Sequence, residues 1–321
     1  MIVVVDKPKG RTSFWIVDRI KKIAGTQKVG HTGTLDPLAT GVLPVCVGEA
    51  TKISNFIMQG DKVYIAKIKL GERTDTLDAE GAVVQKGERD PLTIRQQDLL
   101  DAFNRFRGNI IQIPPMYSAI KKDGVPLYKL ARKGEDIERE GRSVSVEKIE
   151  LLEFAPPYVE IKASCSKGTY IRTLVDDIGE RLGTLAHVVE LRRMSSGIFD
   201  INDAVVIDDN SDLTKLQARA FSIEDVIQRI MPVIKVPSSL AVRVANGLQL
   251  SYSDLVTSAG GSKDWTTSAN VALFSEPVIV AEQRLLAILR IVPQDFEDLI
   301  NMNPSSKIAQ TLRIFHYNEW R

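Results

Sequence analysis

The sequence predicts an α+β protein built on a mixed, largely antiparallel sheet and followed by a small β-rich domain. Three observations carry this. Residues 63–70 and 158–165 alternate apolar and polar side chains with period two, the mark of strands with one buried face. Helix-like and strand-like segments follow one another irregularly, whereas a doubly wound parallel sheet would show continuously apolar strands. Beyond Pro232 the chain changes to short apolar runs separated by Ser/Gly-rich loops.

The elements can be justified in order. Ile2–Val5 is an apolar run that reads as a strand, and Lys7–Gly10 turns the chain. Ser13 is placed to cap a helix whose stripe is Ile16, Val17, Ile20, Ile23 and Ala24. A Gly-rich loop, Gly30 to Pro37, leads back into apolar sequence at 41–47. In the first alternating strand Tyr64, Ala66, Ile68 and Leu70 share a face, opposite Lys67 and Lys69. In the second, Val159, Ile161, Ala163 and Cys165 point inward. Gly168 ends that strand, and a helix follows with Ile171, Leu174, Val175, Ile178 and Leu182 at helical spacing. Residues 208–214 are polar. The expected division is 1–232 and 233–321, the tail holding apolar segments at 234–236, 240–244, 278–280 and 285–292, with a surface loop at 251–268.

Composition limits the function. At 321 residues, 44% hydrophobic and 26% charged, the chain can bury a sizeable core. No apolar run approaches the roughly 18 residues of a membrane span, and MIVVVDKPKG lacks the basic start of a secretory signal. Cys46 and Cys165 make no disulfide framework, and with three scattered histidines they make no zinc cluster. A cytoplasmic location is expected. Net charge is only +1, but residues 1–202 hold 31 basic against 27 acidic side chains, and 203–321 hold 11 against 14. Lys121, Lys122, Lys129, Arg132 and Lys133 cluster near Tyr117 and Tyr128 with only Asp123 opposing them. Such a stretch tracks a phosphate backbone or forms a solvated face, and charge alone favours the latter.

Residue chemistry taken piece by piece stays modest. The loop at 30–41 lacks the Gly-Lys-Ser/Thr of a phosphate-binding loop, since Thr40-Gly41 runs into Val42. Asp36-Pro37 reads first as an Asx turn. His31 has no Ser or Cys nucleophile visibly paired with it. Glu72, Asp75, Asp78 and Glu80 suit a hard cation or, better, turns between strands. Arg172 precedes Asp176 by four residues, which reads as an i,i+4 surface pair.

Taken together, the segments resemble one family. GHTGTLDPLATGVL (30–43) is similar to the catalytic loop of the bacterial tRNA pseudouridine-55 synthases, the TruB family. The likeness continues through 6–13, 61–81, 112–134 and 165–199, in matching order. It implies Asp36 as the catalytic aspartate, Tyr64 as its aromatic partner, Arg172 as its basic partner and Leu191 as the aliphatic residue near the base. His31 falls on the family's histidine that fills space left by a flipped nucleotide. Residues 112–141 fall on its RNA-gripping insertion, so Lys121, Lys122, Tyr128, Arg132 and Lys133 are expected to bind substrate. The tail, through 242–255 and 284–292, is loosely similar to the family's PUA-like domain, and its acidic balance argues against strong RNA binding there. Met194 replaces a small polar residue common in relatives.

The implied activity is isomerisation of uridine 55 in the tRNA T-loop to pseudouridine, without cofactor or metal. The implied partner is the T-arm stem-loop, bound by a monomer without guide RNA. Two rival readings are a tRNA-binding folding chaperone and a metal-dependent hydrolase using Asp75 and Asp78.

Overall fold

The computed structural model describes residues 1–231 and four further strands, Val233–Val236, Asn270–Ser275, Leu285–Ile291 and Ala309–Ile314. The segments expected at 240–244, 278–280 and 251–268, and the motif at 242–255, lie outside the described residues. The chain forms two compact units. One comprises Val3–Gly48 and Ser54–Ala220; the other comprises Met1–Ile2, Glu49–Ile53 and Phe221–Arg321.

The larger unit is organised by a nine-stranded mixed sheet. Its main path runs Ile2–Lys7, Thr40–Val47, Ala186–Ser196, Lys62–Leu70, Tyr158–Cys165, Arg142–Ala155 and Gly108–Gln112, with Val29–His31 and Phe199–Asp200 paired beside it. Pairings from Gly108–Gln112 through Ala186–Ser196 are antiparallel, and Ala186–Ser196 meets Thr40–Val47 in parallel. The alternation predicted for residues 63–70 holds residue by residue in Lys62–Leu70: Tyr64, Ala66, Ile68 and Leu70 are buried, and the residues between are half-buried. Thr40–Val47 is buried almost throughout, which explains its continuous apolar sequence. Ile68, Ile161 and Val188 are fully enclosed, each such side chain contributing roughly 1.5–3 kcal/mol by leaving water.

Two helices position the site. Ser13–Ala24 is capped by Thr12, whose Oγ1 accepts from Trp15 N at 3.1 Å, and not by Ser13 as expected. Ser13 instead lies inside the first turn, with its hydroxyl turned to another loop. Ile171–Leu182 buries Leu174, Val175, Ile178 and Leu182, the predicted stripe.

The acidic segment is turn chemistry. Asp75 Oδ1 accepts from Ala82 N at 2.9 Å, and Asp78 Oδ1 accepts from Glu80 N and the Thr76 hydroxyl. Among the described residues no three His, Cys, Asp or Glu side chains are grouped to hold a metal. Residues 112–141 carry a two-stranded hairpin, Lys121–Lys122 with Val125–Pro126, and a helix, Leu127–Ala131. Asp123 and Gly124 at its tip take positive φ, the conformation a two-residue hairpin turn requires.

The smaller unit has a helix, Ile223–Ile230, capped by the Ser222 hydroxyl. Its four-stranded sheet pairs Val233–Val236 in parallel with Asn270–Ser275. Leu285–Ile291 and Ala309–Ile314 continue it antiparallel, the β-rich tail the sequence predicts. No helix among the described residues is long and apolar enough to cross a membrane.

Candidate active site

The loop bearing Asp36 leaves the strand Val29–His31 and enters Thr40–Val47. Asp36-Pro37-Leu38-Ala39 closes a turn through the Asp36 carbonyl, which accepts from Ala39 N at 3.1 Å. The turn is therefore a main-chain β-turn and not the Asx turn the sequence suggests, and the carboxylate is left for other use. Three anchors fix this loop from the N-terminal segment. Ser13 Oγ accepts from Leu35 N at 2.8 Å and lies 3.1 Å from its carbonyl. Gly10 N donates to Pro37 O at 2.8 Å. Lys7, wholly buried, donates from Nζ to the carbonyls of Pro8, Arg11 and Pro37. Burial pushes its pKa down to about 8, against the attraction of Asp36.

Opposite the loop stands Arg172, in the first turn of its helix and 4% exposed. Its Nε lies 2.9 Å from Asp36 Oδ2, and one Nη lies 3.5 Å from Asp78 Oδ2. Its two Nη groups donate to the Thr76 and Tyr117 carbonyls at 2.7 and 2.8 Å. Nε is near the carboxylate but not aligned for a hydrogen bond, so the contact is chiefly ionic. Arg172 does not pair with Asp176 as its spacing suggested: Asp176 is taken by Arg73 in a forked pair at 2.6 and 2.9 Å. Burial lifts the Asp36 pKa above the usual carboxylate value, Arg172 pulls against that rise, and Asp78 adds to it.

Asp36, Tyr64, Arg172 and Leu191 line one cavity of about 520 Å³, so the four residues named from distant segments converge. The size suits a nucleobase with room to turn. Tyr64 and Leu191 are almost buried, on neighbouring strands. Burial also keeps the Tyr64 phenol above its ordinary pKa. His31 is close but does not line the cavity. Its Nδ1 accepts from Gly33 N at 3.3 Å, and burial followed by the charge of Arg193 lowers its pKa, which favours the neutral ring.

The insertion divides in two. Ser118 and Ala119 line the main cavity. Lys121 and Lys122 line a smaller one of about 370 Å³ with Arg139 and Arg142. Lys121, Lys122, Arg132 and Lys133 are exposed, and the Arg132 guanidinium lies 5.6 Å from the half-buried Tyr128 ring. These residues do not converge with Asp36.

Sequence reasoning missed Lys7, Lys62, Tyr170 and Arg193. Lys62 sits two residues before Tyr64 on the same face, lines the cavity and has a pKa pushed down to about 8 by burial. Its Nζ donates to the Met58 carbonyl at 2.8 Å and to that of Gly60. Tyr170 precedes the helix of Arg172 and has its main chain held by Gln112. The period-two face through Tyr64 was the available signal for Lys62, as the spacing from Leu191 was for Arg193.

A mixed sheet with a buried arginine held against an aspartate in a base-sized cavity is the architecture of a pseudouridine synthase. The solved Cbf5–Nop10–Gar1 complex contains a chain that superposes with a TM-score of 0.71 at 25% identity, over 99% of this chain and 86% of that one. Residues 21–171 match the TruB family pseudouridylate synthase N-terminal domain, and residues 172–233 match the tRNA pseudouridylate synthase B C-terminal domain. Similar proteins named tRNA pseudouridine synthase B include one from Haemophilus influenzae, 43% identical over 239 residues and 74% of each chain. Another, from Clostridium tetani, is 53% identical over 65% of this chain and 71% of that protein. The chain belongs to the TruB family.

Proposed function

We propose that this protein isomerises uridine 55 in the T-loop of tRNA to pseudouridine, with Asp36 as the initiating group. Pseudouridine formation on tRNA follows from the family and from relatives half identical in sequence. The observation that carries the site assignment is the Asp36 carboxylate, 2.9 Å from a buried guanidinium in a base-sized cavity shared with Tyr64 and Leu191.

The reaction breaks the N1–C1′ bond, turns the uracil and rejoins it through C5. No group is gained or lost, so the chain must supply a nucleophile or base, a platform and a dry enclosure. Asp36 supplies the first, either by attack or by taking a proton. Arg172 keeps it ionised and aimed, its fork fixed by two carbonyls. Tyr64 stacks on the flipped base and takes part in removing the C5 proton. Leu191 shields the detached base from water. His31 fills the space the nucleotide vacates, and Lys121, Lys122, Tyr128, Arg132 and Lys133 hold the T-arm. Residues 1–232 form the catalytic domain and 233–321 a PUA-like domain, in a cytoplasmic monomer that works without guide RNA.

Asp36→Asn tests the reading. The amide is nearly isosteric but cannot attack or abstract a proton. Pseudouridine formation on a T-arm substrate should become undetectable, while RNA affinity changes less than about tenfold, or roughly 1.4 kcal/mol. Substantial turnover by this variant would remove Asp36 from the chemistry.

A further inference from the structure

Arg193 is 1% exposed and lines the same cavity as Asp36. Arg172 and Arg192 meet carboxylates, but Arg193 has none within 4.0 Å among the described residues. Its partners are neutral. Nε donates to Val42 O at 2.6 Å and an Nη to Gly33 O at 3.1 Å, carbonyls on either side of Asp36. A buried cation without a counter-ion is costly, and an apolar side chain of similar volume would pack there more cheaply. Its presence there calls for a use.

The sheet register supplies one. Arg193 lies opposite Gly41 in the parallel pairing and opposite Tyr64 in the antiparallel one. Inward side chains directly opposed on adjacent strands come within side-chain contact, and both Arg193 and Tyr64 are buried at this register position, facing the one cavity. The approach to the loop is equally close. A Cβ on Gly41, where φ is +99°, would stand 2.2 Å from the Arg193 carbonyl oxygen.

We propose that Arg193 is a positioning residue of the isomerisation: it ties both ends of the Asp36 loop to the Tyr64 hydroxyl and stabilises the phenolate that accepts the C5 proton. This rests on the roles proposed above for Asp36 and Tyr64. In that step the C5 proton passes to the phenolate oxygen, the C–H electron pair re-forms the C5–C6 double bond, and the C6–N1 π pair moves onto N1. N1 gains a proton from water, and the phenol returns its own to water. Burial holds the Tyr64 phenol protonated, and the charge of Arg193 is the largest influence opposing it.

The test uses the full chain carrying 3-fluorotyrosine at position 64, with its fluorine resonance followed against pH. In Arg193→Met the titration at residue 64 should move up by about one unit or more, and in Arg193→Lys by less. Turnover of a tRNA transcript should fall about a hundredfold in Arg193→Met, in keeping with the usual worth of positioned acid–base groups, with KM within threefold. Combining it with Tyr64→Phe should cost little beyond either change alone, because both act through one hydroxyl. If Arg193→Met fails to fold by circular dichroism, Arg193→Lys carries the same comparison. An unmoved titration together with additive losses would overturn the proposal and leave Arg193 a packing residue. Wild-type turnover by Tyr64→Phe would overturn the proton step. Turnover by Asp36→Asn would instead overturn the reading beneath it, and the titration would still report whether Arg193 acts on Tyr64.

Discussion

The helix Ile171–Leu182 carries two arginine–carboxylate clusters that are alike in composition and different in setting. In its first turn Arg172 meets Asp36 and Asp78; further along, Asp176 and Glu180 meet Arg73. The Arg172 side chain is 4% exposed, and that of Arg73 is 22% exposed with Glu180 more than half in solvent. Arg73 forks onto Asp176 with both oxygens engaged, which holds helix to strand and leaves no oxygen free. Arg172 touches Asp36 by one edge, and the carboxylate faces a cavity that can admit a base. The contrast shows that partner identity does not distinguish a site from a brace. What distinguishes them is a fully buried cation beside a carboxylate that stays approachable.

The largest expected break in that contrast is at Arg172. Arg172→Lys keeps a charge but loses the fork to Thr76 and Tyr117, so kcat/KM should fall at least a hundredfold. The pH profile sharpens the point. On the mechanism proposed above activity needs ionised Asp36, whose pKa is already raised, so the acid limb of kcat/KM should lie above the ordinary carboxylate range. Because Arg172 opposes that rise, weakening it should move the limb further up. An acid limb at the position of a free aspartate would show that Asp36 does not govern it.

Exposed charge should act on binding and not on turnover. Alanine at Lys121, Lys122, Arg132 and Lys133 should weaken tRNA binding about tenfold or more and flatten its salt dependence, since fewer counterions are released. Turnover at saturating tRNA should change little. Unchanged affinity and salt slope would return this stretch to the solvated-face reading.

The brace should give a smaller and opposite pattern. Arg73→Ala should lower Tm by a few degrees, the usual scale for about 1 kcal/mol in a domain of this size, and leave kcat/KM within about twofold. A collapse of kcat/KM in a folded protein would place Arg73 in the site. Smallest is Asp177, pushed up to about 6 by burial, then by Asp176 and Glu180. A folded-state pKa above the unfolded one adds stability below the unfolded value that is lost as pH rises through about 6. Asp177→Asn should therefore raise Tm slightly at pH 8 and hardly at pH 4, as paired thermal melts would show.

Much of this was legible in the sequence. Tyr64 and its strand announced themselves because one face of an antiparallel sheet is wet, so period two survives in the residues. Asp36 was not legible from local chemistry: Asp-Pro reads as a turn, and a turn is there, closed by the carbonyl rather than the side chain. Only the long shared motif marked it. Local spacing misleads at Arg172 for a related reason, and there too the family likeness paired it with Asp36. Helical spacing offers Asp176, but burial turns Arg172 into the cavity and the strand side supplies Arg73 to Asp176. Arg193 and Lys7 were missed because a buried cation bonded to carbonyls leaves no complementary acid in the sequence to find.

The parallel pairing of Gly41 with Arg193 has a further consequence in time. The Asp36 loop lies early in the chain, yet its exit strand is seated by residues about 150 positions later. Contacts of such separation must meet the loop-closure entropy of the intervening chain. During synthesis the N-terminal strands, Lys7 and Asp36 emerge long before the strand that fixes them. A nascent chain therefore carries the Asp36 carboxylate before the strand Ala186–Ser196, which seats the exit of its loop, has been made.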